Sequence, residues 1–169
     1  EKIFYNINSI MGHDSCIIVE GEMDVLALVE AGIKNVVSVP NGATLNQNNL
    51  DYLDNCIDYF ENKEKIILAV DQDEAGVALQ QEFIRRLGAE NCYLVDFKDC
   101  KDANEYLLKY SIEDLRNVIA IAKPVPLENV STLRDVEEDL KDFVKHGFKP
   151  GFQVGLENFD KIFSTYTGQ

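Results

Sequence analysis

The 169 residues suffice for one packed domain with an appendage, and 46% hydrophobic with 27% charged residues is the mixture of an ordinary soluble chain. A net charge of −14 repels phosphate backbones over most of the surface, unless carboxylates hold a divalent cation or basic partner domains lie elsewhere. Four scattered cysteines without a C-x-x-C pair and only two histidines argue against a zinc centre, a disulfide framework and a histidine-based triad.

The chain starts at Glu1 and not at Met, which reads as a piece of a longer protein. Its first residues lack the basic and apolar segments of a signal peptide, and no apolar run approaches the ~20 residues of a membrane span. The expectation is a cytoplasmic chain without membrane contact.

In chain order, four short apolar, β-branched runs read as buried strands: Cys16–Val19, Asn35–Val39, Ile66–Val70 and Cys92–Val95. Helical patterns lie between them. Met23–Ala31 is closed by Gly32; Leu50, Leu53, Ile57 and Phe60 share one helical face; Leu79, Phe83 and Leu87 share another that ends at Gly88. Asp102–Tyr110 reads as helix, and Ser111 with Asp114 forms a capping-box spacing before Leu115, Val118 and Ile119. Lys123-Pro124-Val125-Pro126 interrupts helix and marks a boundary. Thr132 with Asp135 opens an amphipathic helix carrying Leu133, Val136, Leu140 and Phe143 before Gly147. Strand alternating with helix predicts an α/β domain with a mainly parallel four-stranded sheet flanked by helices, followed by a helical linker.

In such a sheet, ligands bind beyond the carboxyl ends of the strands. Glu20 ends the first strand, Asp71 and Asp73 end the third, and Asp102 follows the fourth. Two unit charges about 4 Å apart cost roughly 4 kcal/mol at an effective dielectric near 20, so a carboxylate cluster takes up protons or a cation. Oxygen ligands without His or Cys favour Mg²⁺ or Mn²⁺. Plainer readings stand beside this one. Asp73 suits an N-cap, Asp24 a first-turn acid, Asp102 the cap of the helix after it, and Asn41-Gly42 a turn. Glu20 resists them, because an acid ending a buried strand serves no packing purpose.

Glu20-Gly21-Glu22-Met23-Asp24, Asp71-Gln72-Asp73-Glu74-Ala75-Gly76 and Lys101-Asp102-Ala103-Asn104-Glu105 together resemble the Toprim signature shared by primases, topoisomerases and some nucleases. Val39-Pro40-Asn41-Gly42-Ala43 and the Lys-Asp-Ala-Asn-Glu run narrow the resemblance to phage-type bifunctional primase–helicases and the related Twinkle helicase, over roughly Cys16 to Tyr110. The resemblance implies a Toprim (Rossmann-like) fold, with Glu20 as general acid/base of nucleotidyl transfer. It makes Asp71 and Asp73 the Asp-x-Asp metal ligands and Asp24 and Asp102 further acids of the metal site, with Mg²⁺ or Mn²⁺ as cofactor. Asn104 departs from DnaG-like primases, which carry aspartate there; a neutral side chain would lower metal occupancy.

Gly151–Asp160 resembles the entry to a RecA-like helicase domain, but no G-x-x-x-x-G-K-[ST] follows before Gln169. The expected division is 1–15 as the end of a preceding region, 16–122 Toprim, 123–147 linker and 148–169 the start of a truncated helicase domain. The implied function is the primase module of a primase–helicase, a nucleotidyltransferase inactive as a fragment. DNA template and nucleoside triphosphates would be handled through missing domains, in a ring-forming homo-oligomer. A silent Toprim spacer, a Toprim nuclease and a haloacid-dehalogenase-like phosphatase are the alternatives. The last places its Asp-x-Asp on the first strand, and here that motif follows the third.

Overall fold

The computed structural model describes residues 2–43, 50–127, 136–146 and 155. The chain divides into two units, Glu1–Leu127 and Glu128–Gln169. In the first, β1 (Ser15–Val19), β2 (Val36–Ser38), β3 (Lys65–Ala69), β4 (Cys92–Leu94) and β5 (Lys123–Pro124) form one sheet in the order β2-β1-β3-β4-β5. The first four run parallel and β5 antiparallel to β4. The helices are α1 (Glu22–Glu30), α2 (Asp51–Asp54), α3 (Glu74–Leu87), α4 (Ala103–Lys109) and α5 (Ile112–Ala120).

Strand side chains alternate between two apolar layers. Cys16, Ile18, Ile66 and Leu68 pack with Phe4, Tyr52, Leu53, Phe60, Leu79 and Phe83 on one face. Ile17, Val19, Ile67 and Ala69 pack with Val25, Leu28, Phe97, Tyr106 and Leu115 on the other. Burial on both faces is why these strands read as continuous apolar runs. The residues before β1 belong to this core: Phe4 is fully buried and meets Tyr52 edge-on with ring centroids 4.9 Å apart. A buried Phe of this kind contributes about 1.5–3 kcal/mol.

Two expectations are corrected. The sheet has five strands, not four. β5 falls inside the proline-rich boundary, and Pro124 is tolerated because β5 is an edge strand, where the ladder is continued by the Val125 amide donating to the Cys92 carbonyl at 3.0 Å. The helix expected over Leu50–Phe60 breaks after one turn and resumes as a 3₁₀ turn at Ile57–Tyr59. Between them the Asn55 backbone amide still bonds the Asp51 carbonyl at 2.9 Å, while its side-chain Nδ2 donates to the Lys2 carbonyl at 2.9 Å and ties the break to the N-terminal segment. Leu50, Leu53 and Phe60 are still buried, and Ile57 is exposed.

In the second unit, α6 (Glu137–His146) is helical as expected, with a Glu137–Lys141 ion pair one turn apart. The expected helix start at Thr132–Asp135, the helicase-like stretch at 151–160 and the region 148–169 fall outside the described residues, apart from Gly155.

Candidate active site at the ends of the first and third strands

From β1 the chain crosses to β2 on one side and then returns past β1 to β3 on the other. The carboxyl ends of β1 and β3 therefore flank the point where strand order reverses, the crevice in which open α/β sheets bind ligands. Val19 pairs with Ala69, so in the same register Glu20 leaves β1 beside Val70, one residue before Asp71 on the neighbouring strand.

Glu20 is held by the loop after β2. Asn41 and Gly42 both have positive φ, 69° each, a tight reversal that glycine and asparagine tolerate. It delivers the Ala43 amide to Glu20 Oε1 at 2.9 Å. Among the described residues, the buried Glu20 Oε2 has no hydrogen-bond partner. Burial pushes the Glu20 carboxyl above its ordinary range; the Ala43 amide works against this, and Asp71 and Asp73 add to it.

Asp71 is 8% exposed, and burial raises its pKa against the pull of Lys101. Lys101 Nζ lies 2.7 Å from Asp71 Oδ2 and 3.6 Å from Asp73 Oδ2. Asp73 is more exposed and is also an N-cap, its Oδ1 accepting from the Gly76 amide at 2.9 Å; that bond holds its carboxyl below the usual range. The capping reading of Asp73 thus holds. Gly76 is dictated by space: a Cβ there would lie 2.1 Å from the Asp71 carbonyl oxygen.

Asp24 and Asp102 act on the helices. Asp102 Oδ1 accepts from the Glu105 amide at 2.7 Å and caps α4. Asp24, buried, accepts from the Gly21 amide at 3.2 Å through Oδ2 and from the Asn104 amide at 3.0 Å through Oδ1, tying the start of α1 to the start of α4. Burial pushes its carboxyl up to about 6, against those two amides. The structure thus puts Glu20 within electrostatic reach of Asp71 and Asp73, puts Asp102 within reach of Asp71, and commits both Asp24 oxygens to backbone. The Ala43 amide and the Lys101 ammonium, not singled out in the sequence, complete the site.

Among the described residues, no three His, Cys, Asp or Glu side chains form a ready metal-binding group; at Asp71 and Asp73 the Lys101 ammonium supplies the counter-charge instead. The donors fit a hard divalent cation in chemistry, since Asp71 and Asp73 offer carboxylate oxygens. Asp71 and Asp73 could hold such an ion once the ammonium moves aside.

Residues 17–107 match a family model described as Toprim-like. The Twinkle homolog protein of Arabidopsis thaliana chloroplasts and mitochondria is 33% identical over 99% of this chain and 26% of its own length. An Arabidopsis thaliana primase homolog protein is 39% identical over 76% of this chain and 43% of its own. The chain therefore spans less than half of either relative. Among solved structures, a chain from a complex of bacteriophage T7 lagging-strand DNA polymerase with primase domains of two gp4 subunits superposes with a TM-score of 0.56. It is 30% identical and covers 65% of this chain and 55% of that one. Strand order, the acids at the switch point and the matched span agree, and the chain belongs to the Toprim-like family, with primase and Twinkle-type proteins among its relatives.

Proposed function

We propose that this chain is the metal-dependent nucleotidyl-transfer module of a DNA primase–helicase, serving RNA primer synthesis in DNA replication. The observation that carries the reading is that Glu20, Asp71 and Asp73 lie within electrostatic reach at the switch point, with Glu20 Oε2 buried and, among the described residues, partnerless. A bound Mg²⁺ or Mn²⁺ would neutralise phosphate charge on an incoming nucleoside triphosphate. Asp71 and Asp73 would hold it, with Asp102 nearby. Glu20 is suited to moving a proton, because its raised pKa brings it nearer the working pH and the Ala43 amide fixes its carboxylate. Asp24 keeps the two helix starts in register around the acids.

Template and nucleotide binding, strand separation and ring assembly would belong to the rest of a longer protein, and this piece alone is expected to make no primers. The test is a paired assay on the longer protein carrying Glu20→Gln, reading primer yield and ATP-driven strand separation on the same preparation. Primer loss with unwinding kept supports the proposal; no loss of priming sinks it.

A second reading, a silent spacer domain within a helicase, draws on one observation. The Lys101 ammonium, 2.7 Å from Asp71 and 3.6 Å from Asp73, offsets part of their negative charge from within the chain. In that case neither priming nor unwinding would respond to Glu20→Gln.

A further inference from the structure

Lys101 stands at the acid pair with an unusual division between a fixed backbone and a free side chain. Its carbonyl accepts from the Gln72 amide at 3.1 Å and its own amide donates to Glu105 Oε2 at 2.6 Å, while the next residue, Asp102, caps α4. The loop is thus anchored to the end of β3 and to α4 with no help from the ammonium. The Lys101 side chain is 53% exposed, so Nζ can swing into water with every one of those bonds intact; the Asp71 side chain, 9% exposed, cannot follow.

We propose that Lys101 is an internal counter-ion that competes with the divalent cation: its ammonium holds Asp71 and Asp73 in the cation-free chain and must be displaced before the ion binds there. The inference rests on the reading that Asp71 and Asp73 hold a cation. An ammonium and a divalent ion drawn to the same carboxylates repel each other, since a Mg²⁺ ion on Asp71 would sit about 2.0–2.1 Å from its ligand oxygen while Lys101 Nζ lies 2.7 Å from Oδ2 of that group. The pair is spared its own repulsion when empty, and its affinity for the ion is lowered by the strength of the lysine contact. Lys101 is in this sense a positioning residue, acting through the two aspartates.

The experiment is calorimetric titration of the whole 169-residue chain with Mn²⁺, for wild type, Lys101→Met, Lys101→Arg and Asp71→Asn/Asp73→Asn. Lys101→Met should bind Mn²⁺ about 1.5- to fivefold more tightly, the range expected for losing one partly exposed ion pair. Its melting temperature should fall in EDTA, and the rise on adding Mn²⁺ should exceed that of wild type. Lys101→Arg, which keeps the charge, should stay near wild type. Equal or weaker binding by Lys101→Met overturns the competition. Should Lys101→Met fail to fold, Lys101→Gln is read in the same titration. Binding that persists unchanged in Asp71→Asn/Asp73→Asn is a distinct result: it moves the cation elsewhere and removes the reading beneath the inference along with it.

Discussion

The Ala43 amide donates to Glu20 Oε1 at 2.9 Å, joining the end of β1 to the loop after β2 across 23 residues. Glu20→Gln keeps an oxygen for that amide and places an NH₂ where Oε2 now lacks a partner among the described residues. Relief of repulsion from Asp71 and Asp73 should leave the melting temperature unchanged or higher. In the longer protein, primer synthesis should drop by about 10²–10⁴-fold, the usual effect of losing a general acid or base. A melting temperature lowered by many degrees would mean that Glu20 is there for the fold.

Gly76→Ala should be severe. The added Cβ would meet the Asp71 carbonyl oxygen at 2.1 Å, a contact with backbone that no rotamer relieves. A loss of about 3 kcal/mol or more is expected, at the upper end of overpacking. Urea denaturation reads it directly, and a midpoint matching wild type would show that the β3–α3 turn has room to retreat.

Stability should rise on mild acidification in EDTA. Asp24 has a folded pKa of about 6 against 3.8 for the ordinary carboxyl, so the fold penalises its charged form. That penalty is complete above pH 6 and is relieved as pH falls through about 6 toward 4. Glu20 and Asp71 are shifted upward in the same sense, and the lowered Asp73 opposes them. Between pH 8 and pH 5, Asp24 alone should add roughly 1 kcal/mol. Asp24→Asn should remove that part of the rise in paired urea titrations. A fall in wild-type stability over the same interval would reverse the assigned sign.

The isolated chain should bind DNA poorly at ~150 mM salt, because a net charge of −14 gives phosphates little to exchange counterions with. Filter binding with and without Mg²⁺ checks this. Tight, Mg²⁺-independent retention would point to a basic surface on a chain whose overall charge opposes one.

Strands β1 to β4 were legible in the sequence because both of their faces are buried, which leaves apolar runs such as Cys16–Val19 and Ile66–Val70. The Ser111–Asp114 capping box was legible because capping is local chemistry within four residues. Strand β5 was hidden by its prolines, and the break at Asn55 is tied to Lys2, a partner 53 residues away. At the site, Glu20, Asp71 and Asp73 stood out as acids at strand ends. Ala43 contributes only a backbone N–H, which its letter does not reveal. Lys101 matters only because the fold returns it to Asp71, thirty positions earlier in the chain.

Among the described residues, both outer margins of the sheet are short. Beside β2, Tyr5 forms a single antiparallel bridge with Ser38, through bonds of 2.9 and 3.3 Å. At the far side β5 is two residues long and carries Pro124. Neither margin offers a long row of unpaired amides as a template for another chain, so growth into fibrils by strand addition has no ready starting point in this domain. Copies of this domain at high concentration would then gain little from joining sheet to sheet.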